Sequence, residues 1–193
     1  AMKPMFNAKI GYYQCSSIKG RGQKHAKKAI EKCIRKKNKK ARYVIKSDIK
    51  KCYQSIRHDI LFKMIERDVK NKDIYHLVTS LIFTYSDNET GLCIGTYLSQ
   101  YLANYYLSYA YHFITENMDD MVFIGSNKKH MKKAMNEFIK YLKNNLCLEL
   151  KHDTYQVIDL FKDKAFVDVV GFRFYKDHTT IRKRIFRRIS KDT

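Results

Sequence analysis

Tyr43-Val44-Ile45-Lys46-Ser47-Asp48-Ile49 and Met118-Asp119-Asp120-Met121-Val122-Phe123 are the two stretches that decide how this chain is read. The first is a run of β-formers that meets a carboxylate, and the spacing predicts a strand over Tyr43–Ile49. The second sets two adjacent carboxylates ahead of an apolar run, predicted as a strand over Met121–Ile124. Two neighbouring aspartates repel unless a positive charge sits between them. A tight turn presenting both to a divalent cation relieves that repulsion, and magnesium favours such hard oxygen ligands. An Asp-Asp pair alone is more often an exposed turn, and an acid after a strand is equally a helix cap or turn residue. Carboxylates from separate strands that converge on one point are, however, what two-metal phosphoryl transfer requires.

Working outward, residues 58–68 read as a helix with Ile60, Leu61, Met64 and Ile65 on one face. Residues 73–85 read likewise, with Ile74, Leu77, Val78, Leu81 and Ile82 together. A helix is expected from about Lys24 to Lys37, and Asn127 is placed to cap another over 128–146. Phe166–Tyr175 reads as one strand, Lys176-Asp177-His178 as a turn, and Thr179–Arg184 as a returning hairpin strand. Helices and strands do not alternate regularly. An α+β domain follows, with an antiparallel sheet and helices packed on one of its faces.

Thr96 to Thr115 contains no Asp, Glu, Lys or Arg and approaches the length of a membrane span. It also holds six tyrosines with Gln100, Asn104 and His112, which hydrocarbon tolerates poorly. It is read as a helix buried in protein, and no membrane partner is expected. The opening residues do not read as a signal peptide, and Ala1 ahead of Met2 reads as the remnant of a cleaved tag. Five cysteines, an odd number with no zinc-type spacing, predict reduced thiols and a cytoplasmic setting. Lys and Arg number 39 against 19 Asp and Glu, a net charge of +20. An excess of that size points to a polyanion, and with this aromatic content nucleic acid leads over a merely solubilising surface.

Four segments resemble, in order, the motifs of bacterial reverse transcriptases. Asp48-Ile49-Lys50-Lys51-Cys52-Tyr53-Gln54-Ser55-Ile56-Arg57-His58-Asp59-Ile60-Leu61 resembles motif A. Gly91-Leu92-Cys93-Ile94-Gly95-Thr96-Tyr97-Leu98-Ser99-Gln100-Tyr101-Leu102-Ala103-Asn104 resembles motif B. Met118-Asp119-Asp120 resembles motif C, and Val169-Val170-Gly171-Phe172-Arg173-Phe174 the primer grip of motif E. It resembles the group II intron, diversity-generating retroelement and phage-defence enzymes of that family.

The resemblance implies a right-hand polymerase, with partial fingers over residues 1–42 and a palm over 43–193. It implies an RNA-directed DNA polymerase that extends a DNA primer on an RNA template with deoxynucleoside triphosphates. Asp48 and Asp119 would ligate magnesium with the Ile49 carbonyl, and Asp120 would complete the acidic cluster. Tyr53 would act as a steric gate against a ribose 2′-hydroxyl. Gly95, Ser99 and Gln100 would line the nucleotide, and Arg21, in Lys19-Gly20-Arg21-Gly22, would contact the triphosphate. Lys151 would protonate the pyrophosphate leaving group. Arg182-Lys183-Arg184 and Arg187-Arg188 would lie along the template–primer backbone.

The chain departs from the family pattern in places. Asn117 replaces an aromatic, and Thr115–Met118 leaves no room for the strand expected before the aspartates. A segment missing between Thr115 and Met118 is therefore expected. The stretch before Asp48 is short for the family's fingers, and no thumb is expected after motif E. The alternative reading is a non-catalytic nucleic-acid-binding fragment with the same fold. A template-independent or RNA-synthesising polymerase is a third, weaker reading, and Tyr53 disfavours ribonucleotide use.

Overall fold

The structure, a computed structural model, describes residues 2–12, 14–15, 18–35, 41–85, 89–115, 122–151 and 155–189. Its centre is β1 (Tyr43–Lys46), paired antiparallel on one side with β2 (Val122–Gly125) and on the other with β3 (Gln156–Asp159). Successive side chains of a strand point to opposite faces. Val44 and Ile45 are both fully buried, so both faces of this short strand are covered.

Ile45 and Phe123 join one cluster with α6 (Tyr97–Thr115) and α7 (Lys128–Leu146). Val44 joins a second, with Ile30 and Ile34 of α2 (Gln23–Arg35), Val167 and Phe174. The expectation of helices on one face only is corrected here. The far face is covered by α2 and by a second three-stranded antiparallel sheet, built from β4 (Val167–Val169), β5 (Phe172–Phe174) and β6 (Thr179–Ile181).

That second sheet also corrects the single strand expected over Phe166–Tyr175. Val170 and Gly171 both take positive φ, 46° and 87°, the signature of a two-residue hairpin turn. Glycine adopts this freely; valine does so under strain, and a run of apolar residues hides the reversal. The return strand expected near Thr179 is present as β6, and Arg182–Arg184 runs into a short helix, α8 (Lys183–Ile189).

The helices at His58–Asp68 (α4) and Lys128–Leu146 match the expected limits, and the Asn127 side chain caps α7 by accepting from the N–H groups of Lys129 and His130. Cys147, left-handed at φ 51°, ends α7, and the Leu148 N–H returns to the Leu142 carbonyl. Helix α5 (Lys72–Tyr85) buries Val78, Thr79 and Ile82 but leaves Leu77 60% exposed, because it packs chiefly on α4. Four elements escaped the sequence reading: α1 (Lys3–Lys9), the single turn α3 (Cys52–Ser55), β3 and α8. The suspected gap at Thr115–Met118 lies outside the described residues.

Helix α6 is the buried axis that its lack of charge implied. Tyr105 and Tyr106 are fully buried, and each hydroxyl finds an acceptor. Tyr106 donates to the Leu146 carbonyl at 2.6 Å, satisfying the open end of α7. Tyr105 and Tyr109 both donate to Asp68 Oδ2, which also pairs with Lys9 at 3.1 Å, so one carboxylate joins α1, α4 and α6. Burial disfavours the Asp68 charge, but the Tyr105 hydroxyl, Lys9 and Arg67 outweigh it and hold the carboxyl below its ordinary value. Among the described residues no helix is long and apolar enough to cross a membrane.

Asp68→Asn removes the charge from this junction and is expected to lower unfolding stability by about 2 kcal/mol at neutral pH. The folded-state pKa of Asp68 lies below its unfolded value of about 3.9. Its contribution is therefore complete above that pH and is lost as the pH falls through the folded value. Urea titrations of parent and variant should converge on acidification below about pH 4.

Candidate functional site

Asp48 stands two residues beyond Lys46, at the end of the central strand, and is exposed. The chain stays paired past it: Ile49 bridges Leu150, and the Lys50 N–H donates to the Glu149 carbonyl at 2.9 Å. The Lys151 N–H donates to the Asp48 carbonyl at 2.7 Å. Two of the expected site residues, far apart in sequence, are thus joined by one backbone hydrogen bond, and the Lys151 side chain is exposed there. No described side chain pairs with the Asp48 carboxylate. A strand-end carboxylate of this kind has the hard oxygen chemistry a divalent cation takes.

Beyond Lys50 the chain reverses through Lys51, left-handed at φ 43°, into α3, which carries Tyr53 half-buried. The Ser55 hydroxyl closes the reversal by donating to the Lys50 carbonyl at 3.1 Å. Burial pushes the neighbouring Cys52 thiol up to about 11. It stays protonated at neutral pH, which suits packing and not nucleophilic chemistry.

The motif B segment is laced to motif A through the backbone. The Leu92 N–H donates to the Tyr53 carbonyl at 2.9 Å and the Gly91 N–H to the Ile56 carbonyl at 2.8 Å. Arg57 bridges Thr90, and His58 Nε2 donates to the Gly91 carbonyl at 2.6 Å. Tyr53 and the start of the loop that leads to Gly95 are therefore tied together through the backbone. Gly95 is exposed at φ 99°, a conformation that side-chain-bearing residues rarely adopt. Thr96 follows as the cap of α6, its hydroxyl oxygen accepting from the Ser99 N–H at 3.2 Å. The same hydroxyl donates to Ser99 Oγ at 2.7 Å, and Ser99 is buried. Gln100, half-buried on the next position, lends its carbonyl to Asn104.

Arg21 closes a turn in which its N–H donates to the Ile18 carbonyl, while its Nη1 donates to the Gly11 carbonyl at 2.6 Å. Gly11 is in turn held by Gln14, whose amide reaches the Asn104 carbonyl of α6. The loop carrying Arg21 is thereby anchored to the same helix that motif B begins.

Asp119 and Asp120 lie outside the described residues. Among the described residues no group of three His, Cys, Asp or Glu side chains is placed to hold a metal ion. What the sequence reading missed is the role of residues 148–151, whose backbone runs alongside Asp48. Leu148-Glu149-Leu150 carries no signal that announces such pairing.

An α+β domain built on a central antiparallel strand that ends in an exposed carboxylate, with basic helices around it, is the class this architecture defines. The sequence model of the family "Reverse transcriptase (RNA-dependent DNA polymerase)" matches residues 1–159, most of the chain, which therefore belongs to that family. Its members are nucleotidyltransferases that act on a nucleic-acid template and primer with nucleotide substrates, and they use divalent metal ions. Comparison with curated proteins found no match.

Thr96→Ala should lower stability by about 1 kcal/mol through loss of the cap, and Gly95→Ala by about 1–2 kcal/mol through backbone strain. Hydrogen exchange should localise both effects to the first turn of α6 and the 91–96 segment, leaving α7 protected.

Proposed function

We propose that this chain is the palm, with partial fingers, of an RNA-directed DNA polymerase of the group II intron and diversity-generating retroelement type. In this reading residues 1–42 are the fingers portion and 43–193 the palm with its primer-grip hairpin. Magnesium, held by Asp48, Asp119 and Asp120 with the Ile49 carbonyl, would activate a primer 3′-hydroxyl and offset charge on the departing pyrophosphate. RNA is the template, DNA the primer and deoxynucleoside triphosphates the substrates.

The observation that carries the reading is the β1–β2 register. Lys46 pairs with Val122; Asp48 follows Lys46 by two residues, and Asp120 precedes Val122 by two. Chain connectivity thus favours bringing the acids of both motifs to one end of the sheet. Position and electrostatics, more than covalent chemistry, are what the protein then contributes. Lys151, tethered to Asp48 through the backbone, is the candidate proton donor to the leaving group. Arg21 is the candidate triphosphate contact, its planar fork suited to phosphate oxygens. Tyr53, fixed to the 91–96 loop, is the candidate sugar gate, while Gly95, Ser99 and Gln100 form the nucleotide's surroundings.

Primer extension on an RNA template with magnesium tests this. Asp48→Asn and Asp119→Asn should each reduce incorporation roughly a thousandfold, the equivalent of about 4 kcal/mol of transition-state stabilisation. Template binding without any extension by the parent chain would instead support the non-catalytic alternative. Tyr53→Ala should raise the ratio of ribonucleotide to deoxynucleotide incorporation by roughly tenfold or more, measured as relative kcat/KM.

A further inference from the structure

Helix α7 buries Met131, Met135, Phe138, Leu142 and Leu146 against the sheet and α6. Its outer side is strongly basic, with Glu137 the one exposed acid on the helix. Lys128, Lys129, Lys132, Lys133, Lys140 and Lys143 are all exposed. Among the described residues only Lys133 has an acidic partner, Glu137, at 4.0 Å. Lys128 and Lys132, and Lys129 and Lys133, are like charges one helical turn apart, and the first turn holds no acid. Such spacings oppose the helix; the buried apolar stripe holds it in place regardless. Lys128, Lys129 and Lys132, near the N-terminus of the helix, therefore do nothing for the fold that neutral residues would not do better.

We propose that this outer face of α7, turned away from the sheet, docks the phosphate backbone of base-paired nucleic acid. From Lys129 to Lys143 the helix rises about 21 Å, matching about six phosphates of one duplex strand. The N-terminal lysines lie at the Tyr43 end of the sheet, since β2 runs from beside Lys46 to beside Tyr43 before α7 begins. From there α7 runs back along the sheet to residues 149–151, which pair beside Asp48, so a bound duplex would lie lengthwise along the outer face of the helix. Helix α7 offers no exposed Phe, Tyr or Trp for stacking unpaired bases, His130 being its one exposed ring, which favours paired over single-stranded nucleic acid. The same lack of an exposed apolar edge argues against insertion into a lipid surface.

The proposal rests on the nucleic-acid partners inferred above, but it is tested by binding alone, so loss of polymerase activity has no bearing on it. Binding to a short RNA duplex is titrated against salt for the parent, K132Q/K140Q/K143Q, K132R/K140R/K143R and the charge-matched control K63Q/K70Q/K72Q. The α7 glutamine variant should reduce the slope of log K against log salt by about 2 to 3, while the arginine variant retains it. The control, which removes three exposed lysines elsewhere, should change it by less than about 1. Equal losses in the α7 and control variants would show that only overall charge matters and overturn the proposal. So would an unchanged slope, or α7-dependent binding to phosphatidylserine vesicles but not to the duplex.

Discussion

Everything at the candidate site depends on β1 being held from four sides. Its backbone pairs with β2 and β3, and Val44 and Ile45 are sealed by separate clusters above and below. Only where the strand leaves this enclosure does the chain become polar and exposed, at Lys46 and then Asp48. The backbone that carries Asp48 is therefore fixed at one end of the sheet, while its carboxylate stands exposed and pairs with no described side chain. Under the proposed function that is the charge a divalent cation would order.

The second sheet extends that rigidity sideways. Lys46 Nζ donates to the Asp168 carbonyl at 3.0 Å, and Asp168 Oδ1 accepts from Arg182. The β4–β6 hairpins are therefore fastened to the central strand immediately before Asp48, at the strand's exposed end. On the other side, backbone hydrogen bonds bind α3 to the 91–96 segment. Strain at Lys51 and at Val170 is tolerated because each reversal is fixed on both flanks by such pairing.

Much of the fold was legible locally. Helices 58–68 and 128–146 announce themselves by periodicity and, in the second, by Asn127. Strands were harder. Gln156–Asp159 is four residues long, too short for alternation to stand out, and the Val170–Gly171 turn hides inside an apolar run. Periodicity placed Leu77 and Leu81 with the apolar face of α5, but it says nothing of which part of that face will find a neighbour. The resemblance to motif A singled out Asp48 and Tyr53, and the structure places both on the reversal that follows β1. The backbone contact between Lys151 and Asp48 was not legible, since no local pattern encodes pairing across such a separation.

The central strand has an implication for how the molecule is made. Arg42 and Asp159, ion-paired beside the β1–β3 ladder, are separated by 117 residues. Emerging from a ribosome, β1 waits with both edges and both faces bare until β2, and later β3, have been synthesised. Contacts this remote in sequence make assembly slow, and an unpaired apolar strand is a template for wrong pairing. The amphipathic helices α4 and α5 and the tyrosine-rich α6, all translated in between, are the natural temporary cover.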